Sequence, residues 1–167
     1  PCKGCGAFKV YTVMDGYIYN FIRRLEELVL LQEKSVNIIL HAKSIKPSSE
    51  VSMRISFFYL DIFEMLSELL NNIEFLEEEN KKSYLLELAL ESLSLTLVSL
   101  PFLSAMSPMF ADKELAKDIE EVVVLLEDML TAWDEEKLRI ASQYMAKVYQ
   151  LLRYYLYSAS RSYQNMS

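Results

Sequence analysis

VSMRISFFYLDIFEMLSELLNNIEFL, residues 51–76, places Val51, Ile55, Phe58, Ile62, Met65, Leu69, Ile73 and Leu76 at steps of three or four. Such steps line side chains along one stripe of an α-helix for about seven turns. Arg54, Asp61, Glu64, Glu68 and Asn72 fall elsewhere on the wheel. Pro47, just upstream, forces any preceding helix to stop. Ser48 or Ser49 can then cap the new helix, and Glu50 suits its first turn.

Working outward, the same periodicity recurs on both sides. Met14, Ile18, Phe21, Leu25 and Leu28 predict a first helix from near residue 14 to about Lys46. Residues 83–105 are apolar nearly all round, which predicts a helix in the middle of a bundle, kinked or ended by Pro101. Asp112 is placed to cap a fourth helix through Leu115, Ile119, Val122, Leu126, Met129 and Trp133. A fifth carries Leu138, Ala141, Met145, Val148, Leu152, Tyr155 and Ala159. The apolar step from Trp133 to Leu138 is five, so the two stripes are out of phase. The Asp134-Glu135-Glu136 run resembles a helix start with Asp134 as cap. A tight turn is therefore expected there, with one long bent helix as the alternative. The fold class predicted is all-α, an antiparallel bundle of about five helices, with residues 1–10 as a tail and 11–167 as one domain. The heptad-like steps suit shallow crossing angles and self-association.

Composition agrees. Gly4, Gly6 and Gly16 are the only glycines, so a β-rich fold lacks its turn residues and no glycine-rich phosphate loop exists. Residues 92–111 are uncharged and long enough to suggest a membrane span. Six Ser and Thr residues dilute that stretch, and Pro101 and Pro108 interrupt it, so a buried helix is expected rather than a span. The N-terminus has cysteines and glycines where a secretory leader would be apolar. Two cysteines three residues apart then fit a reducing, cytoplasmic setting.

The net charge of −7 opposes indiscriminate binding to polyanionic DNA or RNA. It is unevenly spread. Residues 1–60 are slightly basic and 61–136 strongly acidic, while 137–167 hold Lys137, Arg139, Lys147, Arg153 and Arg161 with no acid. On the fifth helix, Lys147, Gln150, Tyr154, Tyr157 and Arg161 share one stripe, with Arg153 beside it. Tyrosine and arginine concentrate binding energy at protein interfaces. The same mixture serves phosphate neutralisation and base stacking.

Cys2-Lys3-Gly4-Cys5-Gly6 has the spacing for two thiolates on one tetrahedral metal. Over six residues it resembles one knuckle of a zinc ribbon or rubredoxin-type site. No second cysteine pair exists, so Cys2 and Cys5 supply half a site, to be completed as a shared zinc by a second copy or by a partner. Thioredoxin-like redox motifs share the spacing but sit between strand and helix. A di-iron bundle would need Glu-x-x-His pairs, which are missing. Glu64, Glu68, Glu87, Glu91 and Glu120 are instead expected on solvated faces. His41, the single histidine, fits a helix C-terminal cation better than a catalyst, so common enzymatic routes are disfavoured.

The expected function is a non-enzymatic bundle that binds other proteins, as an adaptor, chaperone, assembly or structural subunit, self-associating in addition. One alternative is an accessory subunit of a nucleic-acid complex, using Arg139, Lys147, Arg153 and Arg161. Another is a regulatory bundle enclosing an apolar ligand, its third helix lining the pocket.

Overall fold

A computed structural model describes the backbone of residues 5–41 and 48–166, and the side chains of 16–40, 48–159 and 161. Among the described residues there are five α-helices and no strand. They are α1 (Cys5–His41), α2 (Ser49–Asn72), α3 (Glu79–Met106), α4 (Lys113–Thr131) and α5 (Glu135–Met166). Single 3₁₀ turns, Ile73–Phe75 and Pro108–Ala111, follow α2 and α3. The all-α bundle expected from periodicity is the fold observed.

The helix starts follow from local chemistry. Ser48 accepts the Val51 N–H on its Oγ at 3.3 Å, and Asp112 accepts from Glu114 at 2.9 Å. Asp134 accepts from both Glu136, at 2.9 Å, and Lys137, at 3.2 Å. Each cap satisfies an amide that the helix leaves unpaired and contributes about 1 kcal/mol. The Asp134 cap makes α4 and α5 a hairpin, the tight turn rather than the bent helix.

Two boundaries differ from expectation. α1 starts at Cys5 instead of near Met14, so residues 5–10, read as tail, are helical. α3 starts at Glu79, one turn before Ser83, and Glu78 gives it no side-chain cap. Pro101 does not end α3, which runs on to Met106.

α2 packs chiefly on α5, α5 on α4, α4 on α3 and α3 on α1, with thinner contacts from α2 to α3 and α1. Because neighbours cover it on more than one side, α2 buries a wider arc than one stripe: Tyr59, Phe63, Leu66 and Leu70 join Ile62, Met65 and Leu69, with Ile73 buried in the turn that follows. Val51, at its open start, is exposed. Each fully buried large apolar side chain contributes about 1.5–3 kcal/mol.

α3 lies between α1 and α4, yet it is not covered all round. Tyr84, Val98 and Phe102 face outward and are at least 40% exposed. By length and composition α3 could cross a membrane, and 44% of its most apolar window is buried within the bundle.

Candidate functional site

α5 owes its orientation to one inner row. Leu138, Ala141, Met145, Val148, Leu152 and Leu156 are all buried, and they pack on α2 and α4. The expected row ended on Tyr155 and Ala159. The true row slides to Leu156, because a 3.6-residue turn drifts against steps of three and four. Tyr155 is half-buried and its hydroxyl reaches the Asp112 carboxylate at 3.5 Å, while Ala159 is exposed.

With that row inside, the opposite side of α5 faces solvent. Gln150, Arg153, Tyr154, Tyr157 and Arg161 are all exposed there, Tyr154 by 69% and Tyr157 by 66%. Together with Ser158 they line one shallow groove. The Tyr154 ring meets Tyr155 edge-on, with centroids 6.1 Å apart, so one neighbour braces it while its outer face stays open.

Of the five basic residues of α5, three are engaged by carboxylates and two, among the described residues, are not; Lys137 reaches Asp128 at 3.2 Å. Lys147 bridges Glu114 at 3.3 Å and Asp118 at 3.4 Å, which ties α5 to α4. The hydrogen bond to Glu114, then the charge of nearly buried Asp118, hold its ammonium above the usual lysine range. Arg139 is engaged by Glu136 one turn back; that hydrogen bond raises the guanidinium and lowers the carboxyl from their ordinary values. Arg153 and Arg161 make no ion pair among the described residues. Of the stripe read from sequence, Gln150, Arg153, Tyr154, Tyr157 and Arg161 come together, and Lys147 is occupied by its own bundle.

The other candidates separate similarly. Glu64, Glu68, Glu87, Glu91 and Glu120 are exposed as expected. Sequence reasoning missed that Glu91 meets Glu33 across the α1–α3 groove. A hydrogen bond to Glu33, with some burial, pushes the Glu91 carboxyl up to about 6. Pairs on different helices, 58 positions apart, leave no local signal. Among the described residues no three His, Cys, Asp or Glu side chains cluster as a metal site. Cys2 lies outside the described residues, as do the side chains of Cys5, at the start of α1, and His41, at its end.

A polar cluster in the core was also missed. Gln32 on α1 is fully buried and donates through Nε2 to the Ser92 carbonyl at 3.0 Å and to Thr96 Oγ1 at 2.9 Å. Ser92 Oγ donates back to Gln32 Oε1 at 2.7 Å. The inner row of α1 is thus Leu25, Val29, Gln32 and Val36, with Phe21 and Leu28 only partly covered.

No curated protein and no solved structure matches the chain. A family model described as "Uncharacterized protein" matches residues 18–166, from the first third of α1 to the last residue of α5, and the chain belongs to that family.

Proposed function

We propose that this chain is a non-enzymatic bundle that works by binding other proteins, with the outer face of α5 as its contact. The observation that supports this is the joint exposure of Tyr154 and Tyr157 between Arg153 and Arg161, which make no ion pair among the described residues. Exposed tyrosines offer large rigid contact area, and arginine offers planar donors to carboxylates. A two-fold contact of this face with itself would set arginine against arginine. The partner surface is therefore acidic. Self-association falls to apolar residues elsewhere, among them Leu30, Leu31 and Ile38 on α1, each about half exposed or more. Cys2 and Cys5 would add half of a zinc site shared between copies.

Photo-crosslinking tests the reading. A benzoylphenylalanine at position 154, in cells that express the chain, should capture a discrete protein, whereas one at exposed Val124 on α4 should not. The adduct should vanish in an Arg153→Glu, Arg161→Glu variant. Adducts equal at both positions would contradict the proposal. A nuclease-sensitive adduct at 154 would instead favour the nucleic-acid accessory reading.

A further inference from the structure

Where α1 passes the C-terminal end of α2, the bundle leaves an apolar pocket of about 270 Å³. Ile18, Phe21, Leu69, Ile73 and Leu85 form its apolar walls. α3, expected from the sequence to line any ligand pocket, contributes Leu85; α1, α2 and the 3₁₀ turn do most of the work. A dry apolar cavity of about 150 Å³ accepts benzene, so this one has room for a ring with an alkyl arm.

The rim has a different chemistry. Tyr17 and Phe75, 61% and 68% exposed, stand at the mouth. Between them the Glu68 carboxylate accepts a hydrogen bond from the Tyr17 hydroxyl, joining α2 to α1. Among the described residues lining the pocket, Glu68 is the one formally charged. Its surroundings reinforce that sign, since Glu74, Glu77 and Glu78 follow in the turn after α2. An apolar body closed by aromatic faces and a carboxylate is the chemistry that selects an organic ammonium. The rings attract the cation by their quadrupoles, and the carboxylate takes a charge-assisted hydrogen bond. A neutral ligand would cover the carboxylate without compensating it, and an anion would be repelled.

We propose that the pocket between α1 and the end of α2 binds a small primary ammonium with an aromatic or branched apolar body, its cationic head on Glu68. The probes are 4-phenylbutylammonium, 4-phenylbutanol and 4-phenylbutyrate, titrated into the full chain near neutral pH and followed by amide chemical shifts. The ammonium should saturate with shifts centred on Ile18, Leu69, Ile73 and Leu85, and the alcohol should bind roughly tenfold more weakly. Glu68→Gln, which can still accept from Tyr17, should reduce the ammonium to the affinity of the alcohol. Ile18→Trp, which fills the partly exposed mouth, should remove binding of both. Equal affinity for the three probes would overturn the proposal. So would ammonium shifts spread over the acidic surface and unchanged by Glu68→Gln.

Discussion

Gln32 and Tyr59 bring polar atoms into the same part of the core with opposite results. Gln32 donates to the Ser92 carbonyl and to Thr96 and accepts from the Ser92 hydroxyl, which satisfies its amide and locks α1 against α3 at one register. The Tyr59 hydroxyl is buried beside Gln32 and Ser99 without a well-formed hydrogen bond to either. Burial raises the phenol above its ordinary value, and the two neighbours offset only part of that. An unpaired buried donor costs about 1–3 kcal/mol, whereas a satisfied one breaks even or better. Tyr59→Phe should therefore leave stability unchanged or raise it by about 1 kcal/mol. Gln32→Ala should lower it by about 2–3 kcal/mol, through a cavity and a stranded Ser92 hydroxyl. Urea unfolding of both variants measures the contrast, and destabilisation by Tyr59→Phe would refute the assignment. Neither residue was legible in the sequence. Gln32 falls on the continuation of the stripe, one step of four after Leu28, but a polar residue there gives no sign of its partners, which lie 60 and 64 positions away.

Glu91 gives a pH prediction. Its folded pKa, about 6, lies above the ordinary 4.5 because Glu33 shares its proton. The folded chain thus holds more protons than the unfolded chain between those values, and this pair's contribution to stability falls as pH rises through that window. Glu91→Gln should flatten the fall and raise the melting temperature above about pH 6 relative to the unmodified chain. Both groups are solvent-accessible, so the effect is small, and it is read as a difference between the two melting curves across pH. A parallel pair of curves would show that no proton is shared.

The helices themselves were largely legible because their signals are local. Ser48, Asp112 and Asp134 each accept the amides that their positions predicted. The Asp134 cap decided between hairpin and bent helix. Asp134→Ala leaves two amides at the start of α5 to solvent and should cost about 1 kcal/mol in thermal or urea unfolding. No loss would mean that Trp133, stacked under Lys82 with the ammonium 4.6 Å from the ring centre, fixes the turn instead. What periodicity could not supply is which neighbours cover each face. α2 buries more than its stripe because several helices meet there, and α3, apolar all round, still leaves Val98 and Phe102 uncovered. The slide of the inner row of α5 to Leu156 has the same origin: packing follows 3.6 residues per turn, and idealised steps do not.

Across the molecule, charge is unevenly distributed. The acidic turn after α2 and the stretch 137–167, which holds five basic residues and no acid, give one chain two regions of opposite sign. α5 spends Lys147 on carboxylates of α4 and Arg139 on its own Glu136, and keeps Arg153 and Arg161 without an ion pair among the described residues, beside two open tyrosines. The basic residues are thus neutralised by neighbouring carboxylates in the first half of α5 and not, among the described residues, in the second. Native mass spectrometry of the chain purified without chelator from cells that express it tests the central claim, that it works by association, most directly. The expected spectrum shows a complex heavier than the monomer whose partner is lost in the Arg153→Glu, Arg161→Glu variant. A metal-free monomer, the same for both proteins, would contradict it.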